Sequence, residues 1–229
     1  LHKAIRRQRQ MCIRDSFPAD NCFHLSLVIP YNTGTRIGET FAIDLSQDVD
    51  FEKHELRIHG QMQKVEKTWY IKPPKYDSYR TIKMGETLEK ELKFAIQQRR
   101  INKLKYGGAY SKTYLLPDRS IAQIRADIDV PYKEILPLCV KENGALLTPD
   151  SFKYCARIIH YELNNPLFHA HCLRHTHGTI LAENGVNPKT VMERLGHKDI
   201  TTTLQTYTFN TDAMQQTAVD VFENAIQTQ

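Results

Sequence analysis

Residues 171–207 hold the side chains with the clearest potential for phosphate chemistry. The segment before Gly185 has the apolar spacing of a helix and a stop signal at Asn184-Gly185. On such a helix His171 and Arg174, three residues apart, project from one face. An arginine and a histidine on one helix face can both contact the oxygens of one phosphate.

A second predicted helix positions another histidine. It begins at Asn187-Pro188, a good N-cap followed by proline at the first helical position, and it ends at Gly196. His197 therefore leaves the end of this helix at a fixed place, and Tyr207 follows ten residues later in a threonine-rich turn. Groups that bind or protonate oxygens could converge near one phenol, which outlines a phosphoryl-transfer site.

The motifs HCLRHT, LGH and TTTLQTY, in this order, resemble those of the tyrosine recombinase (phage integrase) family. The likeness is greatest to integrases of conjugative and phage elements of low-GC Gram-positive bacteria, and it extends from Phe17 to about Glu223. It implies an α+β fold, mainly α-helical, with a small antiparallel β-sheet near the N-terminal part. We place that sheet at Val49–Met84, where ELRIHGQ, KTWYIK and YRTIKM have strand composition.

The resemblance also implies a role for each site residue. Tyr207 would be the nucleophile, which forms a 3′-phosphotyrosyl link and frees a 5′ hydroxyl. Arg36, in TGTRIGE, would grip the non-bridging oxygens together with Arg174. His171 would be the general base or proton relay, and His197 would donate a hydrogen bond to one of those oxygens. Neither a nucleotide cofactor nor a metal is expected.

Arg36 has a second interpretation from its position at the start of a helix that carries Ile37, Phe41 and Leu45. It could pair with Glu39 on a solvated face, which is worth roughly a few tenths of a kcal/mol. The resemblance implies instead that Arg36 binds the scissile phosphate and that Glu39 orients the site behind it.

Lys75 lies in the turn PPKYDS between two predicted strands, where the family places a lysine in a mobile β-hairpin. That lysine would be the general acid toward the departing 5′ oxygen. Lys72 competes for this role, and an ordinary exposed lysine is the plain alternative. Tyr76 replaces the family's usual threonine. Arg80 would contact phosphate or pack on its strand.

Residues 85–163 carry fewer signals. A helix is expected from Gly85 to Arg100, and another from about Pro149. The tyrosines at 106, 110 and 114 alternate with lysines around Gly-Gly, a pattern that can stack on bases but here favours a loop without an assigned function.

Composition limits the remaining possibilities. The five cysteines form no C-x-x-C pair, and no apolar run has membrane-spanning or signal-peptide architecture, so a cytoplasmic protein is expected. The resemblance implies that it is bacterial or phage-encoded. The net charge of +5 is consistent with a polyanionic partner but does not establish one. The histidines at 169, 171, 175, 177 and 197 could bind a metal, yet they lack the H-E-x-x-H spacing.

Domain organisation follows from the resemblance. We expect residues 1–16 to be a basic tail, able to touch DNA or simply solvated, or a ragged fragment end. Residues 17–229 are expected to be the catalytic domain, without the family's N-terminal core-binding domain. The stripe Met214, Ala218, Val221, Phe222 and Ala225 has helical spacing. It would cover its own core or dock on a neighbouring protomer.

The function expected is site-specific strand exchange between double-stranded DNA attachment sites, for integration and excision of a mobile element. A homo-tetramer assembled through the C-terminal helix would carry it out, and an accessory excision factor could take part. Two alternatives remain open. One is an inactive DNA-binding remnant, and the other is a nicking and closing enzyme like type IB topoisomerases.

Overall fold

The first helices surround the block that contains Arg36. The computed structural model describes residues 15–199, 201 and 212–227. Helices α1, α2 and α3 span His24–Thr33, Ile37–Ala42 and Leu45–Asp48. The single helix expected to run on to Leu45 is thus two short helices, because the backbone of Ile43 is extended.

Five short strands follow, and they form two antiparallel sheets. Their bounds are β1 Val49–Asp50, β2 Glu55–Ile58, β3 Gln61–Val65, β4 Thr68–Lys72 and β5 Arg80–Lys83. One sheet has the order β1-β2-β5, and the other is the pair β3-β4. The predicted strands are confirmed, although ELRIHGQ is divided at His59-Gly60 between β2 and β3. Leu56, Ile58 and Ile82 of the first sheet are buried.

The turn PPKYDS does not close a hairpin between β4 and β5, so that expectation is wrong. β4 pairs with β3, and β5 pairs with β2. The turn therefore connects two sheets. Its backbone is strained, because Tyr76 and Asp77 have φ values of 62° and 51°, a region that side-chain-bearing residues seldom occupy.

Helix α4 spans Glu86–Tyr106 and so continues beyond the expected end at Arg100. After α4 the chain forms a sheet that the sequence did not predict. It contains β6 Ser111–Leu115, β7 Ile121–Arg125 and β8 Lys133–Ile135, antiparallel in the order β7-β6-β8. Tyr110 and Tyr114 are only 4% and 5% exposed, so these rings are not free to stack on bases. The loop interpretation is wrong for Tyr114, which lies in β6.

Four helices follow in the described residues. Their bounds are α5 Pro149–Tyr161, α6 Ala170–Glu183, α7 Pro188–Leu195 and α8 Asp212–Gln227. Two of them, α5 and α7, begin at capping residues that the sequence predicts. Thr148 caps α5 by accepting from the Ser151 amide, and Asn187 caps α7 by accepting from the Lys189 amide. The α+β, mainly helical fold class is confirmed.

Helix α8 stands apart from the core. Every side chain described in it, from 215 to 227, is exposed, and Val221 and Phe222 are 63% and 64% exposed. The alternative that this helix covers its own core is therefore wrong for these residues. Within residues 15–199, 201 and 212–227, no helix has the length and apolar character needed to cross a membrane.

Candidate active site

Arg36 is the N-cap residue of α2, and its side chain points inward. Its backbone N–H donates to Glu39 Oε2 over 2.9 Å, and its Nη1 donates to Glu39 Oε1 over 2.8 Å. Nη1 also donates to Ser78 Oγ at 3.4 Å, and Nη2 donates to the Gly196 carbonyl at 3.0 Å. Because Glu39 is 1% exposed, the interpretation of this pair as a solvated surface pair is wrong.

Glu39 has a second arginine partner that the sequence did not reveal. Arg80 Nη2 donates to Glu39 Oε2 at 2.7 Å, and Arg80 Nη1 donates to Glu39 Oε1 at 3.3 Å. Burial alone would raise the pKa of Glu39, but the hydrogen bond and charge of Arg80, with smaller contributions from Arg36, hold that pKa below its ordinary value. The carboxylate is therefore ionised between two guanidinium groups.

Arg80 also joins this pair to the end of α7. Its Nε donates to the Arg194 carbonyl over 2.9 Å, and its Nη1 donates to the Ser78 carbonyl over 3.0 Å. Gly196 packs against it, because a Cβ there would lie 2.8 Å from Arg80 Nη1. Neither expected role of Arg80, as a phosphate contact or as simple packing, describes this position.

Arg174 is the other predicted phosphate ligand, and α6 carries it into the interior. It is 1% exposed, and its Nη1 donates to the carbonyl of Gly34 over 2.7 Å. Gly34 adopts a φ of 71° and ends α1, two residues before Arg36. The hydrogen bond therefore fixes Arg174 to the segment that carries Arg36.

His171 and His197 lie in the electrostatic field of both arginines. Partial removal from solvent lowers the pKa of His171 to about 4, with further lowering from His175, Arg174 and Arg36. The same cause lowers the pKa of His197 to about 4, followed by Arg174 and Arg36 and then by His171. Two histidines from different segments are thus brought to one pair of arginines, and both are neutral at pH 7.

His177 has a structural role at the back of this cluster. Arg194 Nε, which can only donate, gives its hydrogen to His177 Nε2 over 3.0 Å. His177 Nδ1 must therefore carry the proton, and it donates to the Tyr31 carbonyl at 2.9 Å. Burial, followed by the charge of Arg194, lowers the pKa of His177 to about 4.

Lys75 is exposed, and its Nζ lies 4.8 Å from the centroid of the Tyr76 ring. Its connection to the cluster runs through the backbone, since Ser78 Oγ donates to the Lys75 carbonyl at 2.9 Å and accepts from Arg36. The competing Lys72 lies over the Tyr70 ring at 5.9 Å. Tyr207 is outside the described residues.

The sequence profile of the phage integrase family matches residues 10–214. The chain belongs to this family. A XerC-like tyrosine recombinase from Caldanaerobacter subterraneus is 28% identical over 207 residues, which cover 86% of this chain and 48% of that protein. The transposase of transposon Tn916 from Enterococcus faecalis is 28% identical over 183 residues, 79% of this chain and 40% of that protein. The chain thus spans half or less of the length of these two relatives.

Solved structures share the fold. The Tn1549 transposon integrase in complex with a circular intermediate DNA matches with a TM-score of 0.65 and 24% identity, over 86% of this chain and 58% of that one. The crystal structure of XerA recombinase matches with a TM-score of 0.58 and 18% identity, over 93% of this chain and 61% of that one. The expected resemblance to tyrosine recombinases is confirmed.

Proposed function

We propose that this chain catalyses site-specific strand exchange on double-stranded DNA through a 3′-phosphotyrosyl intermediate. The observation that carries the proposal is the cluster of Arg36, Arg174, His171 and His197. These residues come from α2, from α6 and from the segment after α7, and two hydrogen bonds to glycine carbonyls tie those segments together. We assign residues 17–229 to the catalytic domain of the family and 1–16 to a basic segment before it.

The two arginines would neutralise the charge that develops on the scissile phosphate. A phosphodiester already carries one negative charge, and attack adds charge to the non-bridging oxygens. Guanidinium groups held in place before the substrate arrives stabilise that charge without reorganisation. Glu39 holds the backbone N–H and the Nη1 of Arg36, and the Gly34 carbonyl holds Arg174.

The neutral histidines would handle protons and hydrogen bonds. A neutral imidazole has one nitrogen with a free lone pair, so His171 could accept the phenolic proton as the nucleophile attacks. His197 could donate its single N–H to a non-bridging oxygen. The role of His171 requires the uncharged ring, which agrees with its lowered pKa. A neutral His197 still carries one N–H for its role as a donor.

Tyr207 and Lys75 complete the proposed chemistry. Tyr207 would attack phosphorus, so that its oxygen forms a bond to the phosphate while the bond to the 5′ oxygen breaks. The ammonium of Lys75 would give that oxygen a proton. Because the phosphotyrosyl ester retains the energy of the broken bond, a 5′ hydroxyl of the partner strand can reverse the step with no nucleotide cofactor.

The biological setting is also a proposal. One relative is named as the transposase of Tn916, and a structural match is named as a transposon integrase, which supports integration and excision of a mobile element at attachment sites. Helix α8 leaves Val221 and Phe222 exposed, which supports docking of this helix on a neighbouring protomer within a tetramer. An accessory excision factor would set the direction.

A plasmid with two attachment sites tests this function. We expect deletion of the DNA between two sites, and no product from plasmids with one site or none. Arg36→Gln and Arg174→Gln should each abolish the product while DNA binding persists. Relaxation of a supercoiled plasmid that lacks the sites would contradict the proposal, because it would indicate a nicking and closing enzyme.

A further inference from the structure

We propose that Arg80 is a positioning residue, which holds Glu39 in place and thereby aims Arg36 at the scissile phosphate. The inference rests on the proposed function, since it concerns the same reaction. It differs from the expectation that Arg80 itself contacts phosphate. Its basis is a set of hydrogen bonds from one guanidinium to α2, to the turn before β5 and to the end of α7.

The donors of Arg80 are directed into the protein. Its Nη1 and Nη2 both donate to Glu39, and its Nε donates to the Arg194 carbonyl. The side chain is 8% exposed, and that of Glu39 is 0% exposed. A DNA phosphate would have to displace a buried, charge-assisted pair to reach Arg80. The residue therefore acts through Glu39.

The two arginines divide the oxygens of Glu39 between them. Oε1 accepts from Nη1 of each arginine, while Oε2 accepts from the Arg36 backbone and from Arg80 Nη2. A carboxylate alone with one arginine favours a bidentate pair that uses two donors of the guanidinium. Arg80 prevents that arrangement, so only one nitrogen of the Arg36 guanidinium is bound to Glu39. Nη2 of Arg36 points instead toward Gly196, beside His197.

Arg80 also sets the charge of Glu39. The carboxyl is buried, and Arg80 and Arg36 are the partners that lower its pKa. The other ionisable groups around the cluster are Arg194, His171 and His197. Without Arg80, burial would favour the neutral acid. A neutral Glu39 has lost its charge, and its protonated oxygen is a weaker acceptor, so its hold on Arg36 would weaken.

Covalent capture on a nicked DNA duplex that carries an attachment site tests the role. The rate of capture would be measured from about pH 5, near the ordinary carboxyl pKa, to about pH 9. We expect Arg80→Met to lower the rate by on the order of 100-fold, as misplacement of a phosphate ligand does, with a steeper loss at acid pH as Glu39 takes up a proton. Arg80→Lys should remove the extra acid loss but recover only part of the rate.

Two control variants show whether the effect of Arg80→Met on the capture rate depends on Glu39 and is specific to Arg80. In the double variant Glu39→Gln, Arg80→Met the extra acid loss should disappear, because the group that titrates is gone. Arg57→Met, an exposed arginine on the neighbouring strand β2, should match the wild type. A loss of rate that is uniform across pH, or no loss in Arg80→Met, would overturn the inference.

A measurement that needs no activity separates this inference from the proposed function. The free energy of unfolding of wild type and Arg80→Met would be compared across pH. In the wild type the lowered pKa of Glu39 stabilises the fold above the ordinary carboxyl pKa, and this is lost as pH falls. In the variant we expect burial to raise the pKa of folded Glu39. The difference in unfolding free energy between wild type and Arg80→Met should therefore shrink as pH falls, and the difference that Arg80→Met makes in the Glu39→Gln background should not vary with pH. A deficit that is independent of pH in both backgrounds overturns the inference, even if the wild type forms no covalent product.

Discussion

Glu39 decides between the two interpretations of Arg36. On a solvated face the pair would add little, but a carboxylate with 1% exposure is fully removed from water and must be paired. Arg80 supplies the second cation from a strand 41 residues further along the chain. Losing either arginine would leave the buried carboxylate with a single cation and with fewer donors for its oxygens, which costs more than losing a surface pair.

Gly196 offers a clean test of packing at this cluster. Gly196→Ala should destabilise the fold by about 1 kcal/mol for its φ of 67° and by roughly 1–2 kcal/mol more for the contact of its Cβ with Arg80. Gly185→Ala is the matched control, since its φ is 72° but nothing lies within 4 Å of the added Cβ. Urea unfolding measures both, and equal losses would show that Arg80 does not pack against Gly196.

The buried His177 predicts how stability depends on pH. Its pKa in the folded protein is about 4, below the ordinary 6.5, so the unfolded chain binds the proton more tightly. The stabilisation is complete above about pH 6.5 and is lost as pH falls toward 4. The free energy of unfolding should therefore drop by on the order of 2–3 kcal/mol from this group over that window.

The control for this prediction is His177→Asn. The asparagine amide can still donate to the Tyr31 carbonyl that Nδ1 now serves, but it does not titrate. The variant should be less stable than the wild type at pH 7 and should lose less stability between pH 6.5 and pH 4.5. An equal pH slope in both proteins would assign the proton uptake to other groups.

Among the helices and strands, the sequence predicted the features that are determined by residues close to them in the chain. The ends of α7 were predicted, because Asn187, Pro188 and Gly196 act on their own backbone. The sheet β6–β8 was missed, because its strands are short and have little period-two alternation, with tyrosines that read equally well as loop residues. The role of Arg80 was missed for a different reason, since its partners come from distant segments.

Helix α8 predicts the effect of a truncation. Removing the chain after Thr211 deletes a helix whose side chains from 215 to 227 are all exposed, so the melting temperature and DNA binding should change little. Recombination between two sites should fall sharply, because the proposed docking on a neighbouring protomer is lost. Full recombination by the truncated protein would rule out that role for α8.

At the scale of the whole molecule, phosphate contacts should dominate DNA affinity. The logarithm of the binding constant should fall linearly with the logarithm of salt concentration, with a slope of about −0.9 for each phosphate neutralised. Arg36→Gln should make the slope shallower by about one such contact, whereas Arg57→Gln on the exposed face of β2 should not. An unchanged slope for Arg36→Gln would place this arginine away from the phosphates.

Under the proposed function a tyrosine of this chain becomes covalently attached to DNA, and one experiment tests this attachment directly. A nicked duplex carrying the attachment site traps the covalent product, which migrates slowly in a denaturing gel. We expect a protein–DNA band with the wild type and none with Tyr207→Phe. A band of equal intensity in both proteins would contradict the assignment of Tyr207 as the nucleophile. No band in either protein, with DNA binding retained, would contradict the catalytic function proposed for this chain.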